Sequence, residues 1–229
     1  MVPSEPHPPS LSPHGMALVG WGSLLLAGTL FFMLAWDVET RAPLVLLDAQ
    51  TAAWLHLHAT LELVAFLYAV TQVNSTVGLG AMTIIFMIVL WRMKERYWLL
   101  SVFIAVPGAL ALNLLLKYSY ERARPSFDDP FVALTSFSFP SGHTAGATAF
   151  YGVLAAFLVS RTYDPVKRIS IVIGAVLAVV LVAFSRMYLG AHYLSDVLAA
   201  AASTAAWLTL TLSVVHQLVK TKRLRRQLV

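Results

Sequence analysis

Long runs without a single charged residue alternate with short polar islands along this chain. The uncharged runs are Met16–Trp36, Leu63–Trp91, Tyr97–Leu116, Thr144–Ser160, Ile169–Ser185 and Val197–Val219. A helix needs about 20 apolar residues to cross the hydrocarbon of a bilayer, and the two shorter runs reach that length by borrowing flanking residues. The pattern therefore predicts an all-α, integral membrane bundle of six transmembrane helices. The second run is longer than one span requires, and Gln72, Asn74, Ser75 and Thr76 interrupt its middle. It is expected to divide, with residues 44–71 forming one or two short interfacial helices between the first and second spans and residues 73–91 forming the second span.

Composition agrees with the periodicity. Of 229 residues, 59% are hydrophobic and 12% charged, and the mean hydropathy is +0.74, outside the range of an ordinary soluble domain. Residues 16–220 read as a single six-span domain without internal repeats. Residues 1–15, rich in Pro, Ser and His, are expected to be a disordered tail, and residues 221–229 a basic cytoplasmic tail. The N-terminal tail lacks the basic segment of a signal peptide, so Met16–Trp36 is read as a retained first span. There is no cysteine, which excludes disulfides and thiolate metal sites.

Of the 16 Lys and Arg residues, most cluster in Arg92–Arg96, Arg161–Arg168 and Lys220–Arg226. A six-span topology puts all three clusters on one side, the cytoplasmic side by the positive-inside rule, with both termini there. The net charge of +5 thus reports membrane topology and requires no nucleic acid partner.

Basic residues outside those clusters sit mainly in three islands: Lys117…Arg124-Pro125, Pro140-Ser141-Gly142-His143, and Ser185-Arg186…His192…Asp196. Charge near hydrocarbon must be paired, hydrated or matched to a charged ligand. The six-span topology brings the islands to the same, non-cytoplasmic surface: Lys117 ends span three, Pro140–His143 precede span four, Ser185-Arg186 end span five, and His192 and Asp196 open span six. Ser141 suits an N-cap and Gly142 lets backbone approach closely, so that helix start is an anion nest with His143 at its rim. His192 and Asp196, four apart, fall on one helix face, where the carboxylate can take one imidazole proton and leave the other nitrogen free.

Taken singly, each island has an ordinary reading, as a capping turn, a stabilising His–Asp pair, or basic side chains reaching for lipid headgroups. Their convergence on one face favours a site that holds a phosphate and breaks its ester bond. His56 and His58 are read as wetted surface groups, and Asp128 and Asp129 as solvated loop carboxylates. Asn113, one turn before Lys117, is placed to brace the site. No metal-binding motif is present.

In these residues the chain resembles the type 2 phosphatidic acid phosphatase superfamily, whose pattern is Lys-x6-Arg-Pro, Pro-Ser-Gly-His and Ser-Arg-x5-His-x3-Asp. The resemblance covers about residues 97–220. It implies that His192 attacks phosphorus and forms a phosphohistidine, that Asp196 orients it, and that His143 is the general acid. It further implies that Lys117, Arg124, Ser141, Gly142 and Arg186 bind the phosphate, with no cofactor or metal and with activity that survives chelators. The expected substrate is a lipid phosphomonoester or diphosphate at the outer face of a cell membrane: phosphatidylglycerophosphate, phosphatidic acid or undecaprenyl diphosphate. A phosphatase of water-soluble esters, and a non-catalytic lipid-phosphate-binding or transport protein, stand as alternatives. Oligomeric state is left open.

Overall fold

The computed structural model describes residues 13–132 and 134–227. Among the described residues there are eight helices and no strand: α1 (Pro13–Glu39), α2 (Pro43–Leu57), α3 (Leu61–Val73), α4 (Thr76–Arg92), α5 (Arg96–Tyr120), α6 (Gly142–Val159), α7 (Pro165–Tyr188) and α8 (Leu194–Gln227). Segments of α1, α5, α6, α7 and α8 are long and apolar enough to cross a membrane. Helix α4, with 17 residues, reaches about 26 Å at 1.5 Å per residue, near the lower limit for a span. The chain is a multi-pass membrane protein.

The long second run does divide. Helices α2 and α3 meet at 118°, and neither is long enough to span alone. That break lies just before the run, where Thr60 accepts the Leu63 amide (3.4 Å) as N-cap; the run itself divides between α3 and α4. Ser75 does the same for the Gly78 amide (3.2 Å) and starts α4. Both are short hydroxyl side chains that satisfy a helix-start donor left without an intrahelical partner. Most of the expected N-terminal tail, residues 1–12, lies outside the described residues, whereas residues 13–15 already belong to α1. At the other end α8 runs on to Gln227, so the backbone of the basic segment continues the last helix; residues 228–229 lie outside the described residues.

The main core joins α4, α5 and α6 through Leu79, Phe86, Leu90, Val102, Val106, Phe150, Val153 and Phe157. Small residues let the helices approach. A Cβ on Gly108 would stand 2.3 Å from the Trp207 indole of α8, whose Nε1 donates to the Ala105 carbonyl at 3.1 Å. A Cβ on Gly146 would meet Leu79 at 2.4 Å. The outer face of α7, with Ile169, Ile173, Val176, Leu177 and Val180, is exposed, as a lipid-facing helix requires. Up-and-down connectivity then gathers the C-terminal ends of α5 and α7 and the N-terminal ends of α6 and α8 at one end of the bundle.

Candidate active site

At that end, Lys117 occupies the last turn of α5 and Arg186 the last turn of α7, while Gly142 and His143 open α6. Arg124 comes from the loop between α5 and α6. His192 departs from the expectation that it sits on the last span. It lies in the turn between α7 and α8, two residues before the helix starts. Gly190, at φ 68°, reverses the chain there, and the Ala191 and His192 amides close back on the Arg186 carbonyl at 3.0 and 3.2 Å. Asp196 reaches back from the first turn of α8 to accept the Tyr193 amide at 2.8 Å, the reciprocal half of a capping box. The four-residue spacing therefore works through a helix cap rather than along a helix face.

The histidine is held at both nitrogens. Asp196 Oδ2 lies 3.3 Å from Nδ1, and as a carboxylate it accepts, which leaves Nε2 unprotonated. Nε2 faces the Arg124 Nη1 at 3.2 Å and accepts from it. His192 is almost fully buried. Burial, reinforced by the nearby Arg124 and Arg186 and opposed by Asp196, pushes its pKa down to about 4, so the imidazole is neutral at physiological pH.

The three cations are held by neutral groups. Lys117 Nζ donates to the carbonyls of Phe137 (2.6 Å) and Ser138 (3.4 Å). Arg124 donates to the Ser136, Ala191 and Phe137 carbonyls at 2.6, 2.6 and 3.0 Å, and to the Ser136 hydroxyl at 3.0 Å. Arg186 Nη1 donates to Thr71 Oγ1 at 2.6 Å, and its buried Nε has no hydrogen-bond partner. Among the described residues, none of the three forms an ion pair. Three positive charges around one cavity, fixed in position but not neutralised, are an arrangement able to receive an anion. That cavity, about 320 Å³, is lined by Lys117, Arg124, Gly142, His143, Arg186 and His192.

Ser141 and Asp196, both fully buried, support the residues that line it. The Ser141 hydroxyl accepts the Thr144 amide (3.4 Å) and hydroxyl (3.1 Å) as N-cap of α6, while its own amide donates to the Asp196 carbonyl at 3.1 Å. Asn113 donates to the Pro140 carbonyl at 3.2 Å and braces the Gly142 nest from α5. A second cavity, about 600 Å³, shares His143 and Arg186 and is otherwise lined by groups that include Tyr68, Thr71, Gln72 and Ser75.

Sequence reasoning missed three supporting side chains, Asp48, Thr71 and Ser138, and left a fourth, Arg122, without a role. Ser138 donates its hydroxyl to Asp196 Oδ2, and Arg122 bridges Asp196 to Asp48. Asp48 carried a usable signal, a carboxylate directly after the apolar run Leu44–Leu47. His56 and His58 are engaged elsewhere: His56 Nε2 with Asp129 Oδ1 at 2.8 Å, and His58 Nδ1 with the Trp54 carbonyl at 2.8 Å. Among the described residues no cluster of three or more His, Asp or Glu is arranged to hold a metal.

Known proteins place this architecture. The chain is 47% identical over 89 residues to phosphatidylglycerophosphatase B of Bacillus subtilis (strain 168), a stretch that is 38% of this chain and 43% of that relative; the match therefore spans less than half of the relative's length. The fold is similar to the crystal structure of the first transmembrane PAP2 type phosphatidylglycerolphosphate phosphatase from Bacillus subtilis, with TM-score 0.78 and 26% identity over 85% of this chain and 96% of that one. It also resembles Aquifex aeolicus LpxE, with TM-score 0.60 and 22% identity over 73% and 95% of the two chains, a likeness of fold alone. Residues 96–220, more than half of the chain and the part that carries all three polar islands, match the PAP2 superfamily, and the chain belongs to that superfamily.

Proposed function

We propose that this chain is a membrane phosphatase that hydrolyses the phosphomonoester or diphosphate of a lipid through a phosphohistidine at His192. The observation that carries the reading is the set of three cations, none paired with a carboxylate, converging on a neutral imidazole whose far nitrogen rests on Asp196. An incoming phosphate takes over the guanidinium hydrogens that Arg124 gives to Nε2, and that nitrogen is freed to attack. As the N–P bond forms and the P–O ester bond breaks, Lys117, Arg124 and Arg186, with the Gly142 amide, hold the equatorial oxygens. Ser141 contributes by capping the helix that presents that amide. His143 protonates the departing oxygen and then takes a proton from the water that attacks phosphorus and breaks the P–N bond. Asp196 stabilises the imidazolium while the Nδ1 proton stays in place. The fixed cations supply the charge that a metal would supply, so no metal or other cofactor enters the scheme.

Several features favour a lipid with a hydroxylated headgroup, phosphatidylglycerophosphate before phosphatidic acid or undecaprenyl diphosphate. The larger cavity beyond His143 carries Tyr68, Thr71, Gln72 and Ser75 among more apolar lining residues that include Val77, Phe131 and Leu134, and those polar groups suit a glycerol unit. The smaller cavity continues along Leu79, Leu110 and Leu114, an apolar path for a chain. The name of the Bacillus subtilis relative points the same way. The basic turns Arg92–Arg96 and Arg161–Arg168 lie at the opposite end of the bundle, so the positive-inside rule directs the site to the exterior of the cell membrane and both termini to the cytoplasm.

Phosphate release by purified protein, offered phosphatidylglycerophosphate, phosphatidic acid, undecaprenyl diphosphate and water-soluble phosphate esters with and without EDTA, tests the reading. Release from a lipid, unchanged by EDTA and abolished in His192→Ala, supports it. Release from soluble esters alone, or equal behaviour of wild type and His192→Ala, refutes it.

A further inference from the structure

Asp48 is fully buried on α2, outside the stretch that matches the superfamily. A carboxylate taken out of water is strongly disfavoured unless its oxygens are matched. Here they are. Oδ2 accepts Arg122 Nη2 at 2.8 Å and the Ser195 hydroxyl, and Oδ1 accepts the Ser195 amide at 2.9 Å. The other arm of the same guanidinium, Nη1, donates to Asp196 Oδ1 and to Ser195 Oγ, each at 2.7 Å. Its face lies over the Tyr193 ring, 4.3 Å from the centroid.

One fork thus joins two buried carboxylates, and it belongs to a cation outside the three polar islands. Arg122 lines neither cavity next to His143, so it is not placed to touch a phosphate. Its geometric effect falls on Asp196. With Oδ1 engaged by Arg122, the carboxylate plane is fixed, and Oδ2 turns toward His192 Nδ1, the Tyr193 amide and Ser138. A lysine, with a single nitrogen, could not hold both carboxylates in that geometry.

We infer that Asp48 and Arg122 are positioning residues for the His192–Asp196 pair, Asp48 anchoring the guanidinium and the guanidinium fixing the rotation of Asp196. The inference rests on the phosphatase reading above. Through it, the short helix α2 becomes part of the catalytic apparatus rather than a connector.

The test compares full-length wild type, Arg122→Gln, Arg122→Lys, Asp48→Asn, Asp196→Asn and the Arg122→Gln/Asp196→Asn double variant on the lipid that wild type hydrolyses, with inorganic phosphate as competitive probe. Groups that orient a reacting residue typically contribute about 10–100-fold to activity, and kcat of Arg122→Gln should fall by that factor. KM and the inhibition constant of phosphate should stay within about 3-fold, because substrate contacts are untouched. Arg122→Lys should recover only part of the loss, and Asp48→Asn should lower kcat about 10-fold. Because Arg122 acts through Asp196, adding Arg122→Gln to Asp196→Asn should cost less than about 2-fold more.

Unchanged kcat in Arg122→Gln and Asp48→Asn overturns the inference. So does a weakened phosphate inhibition with normal kcat, which would make Arg122 a direct ligand, and so do losses that multiply fully in the double variant. If Arg122→Gln does not elute as folded protein, Asp48→Asn, which preserves side-chain shape, decides by the same readouts. Wild type that releases no phosphate from any lipid overturns the phosphatase reading and this inference with it; active wild type with unaffected variants overturns this inference alone.

Discussion

Replacing Gly190 with alanine should loosen both the fold and the site, and the structure allows the size of the effect to be worked out. At φ 68° an L side chain costs about 1 kcal/mol or somewhat more. The new Cβ would stand 3.0 and 3.2 Å from Cε2 and Cδ2 of Phe127. That ring cannot simply retreat. It is stacked on His56 at 4.0 Å and 8°, and His56 is itself held by Asp129. Crowding against a braced ring adds about 1 kcal/mol, at the low end of overpacking costs. A total near 2 kcal/mol corresponds to a fall in melting temperature of about 4–8 °C for a chain of this size. Because Gly190 sits two residues before His192, a displacement of a few tenths of an ångström should reach the imidazole and lower kcat about 10-fold. The assay is thermal unfolding in detergent with parallel phosphate release, for Gly190→Ala in the wild-type and Phe127→Ala backgrounds. Removing the ring should leave only the backbone part of the cost. Equal stability and kcat in Gly190→Ala would show that neither the positive φ nor the Phe127 contact constrains this turn, and the same loss in both backgrounds would show that the Phe127 contact does not.

Two further outcomes follow from the site. Thr71→Val removes the hydroxyl that accepts from Arg186; losing a hydrogen bond to a charged group should raise KM and the inhibition constant of phosphate about 10-fold, and a fall in kcat with KM unmoved would contradict the role given to Arg186. In the proposed reaction the neutral form of His192 is the nucleophile, and burial pushes its pKa down to about 4. Activity should therefore survive as pH falls from 7 and decline only below about pH 5, whereas an ordinary histidine would set the acid limb near 6.5. A limb near 6.5 in the pH profile of kcat/KM, after allowance for ionisation of the substrate, would count against this nucleophile.

The spans and the polar islands were legible because both rest on strong local costs. An uncharged run of membrane length and a charge stranded beside it each have few physical outcomes. The division of the second run was legible for the same reason, since Gln72, Asn74, Ser75 and Thr76 together break an apolar pattern. The position of His192 was not. Its spacing from Asp196 fits a helix face and a helix cap equally well, and Gly190, which decides between them through its positive φ, is a single residue in a helical pattern. The bracing residues were hidden by distance: Asp48 lies 148 positions before Asp196 in the sequence, and nothing in either segment states that α2 packs against α7 and α8. Arg122 was visible as an unassigned charge, but its two partners emerge only when three helix ends meet.

In the proposed reaction, phosphorus passes through a covalent bond to His192. Rapid mixing of purified protein with lipid substrate labelled in the scissile phosphate, followed by alkaline quench and peptide mapping, tests it most directly. An alkali-stable, acid-labile label is expected on the peptide carrying His192, formed at least as fast as turnover and absent in His192→Asn. Turnover that proceeds with no labelled protein, or a label that persists in His192→Asn, would contradict it.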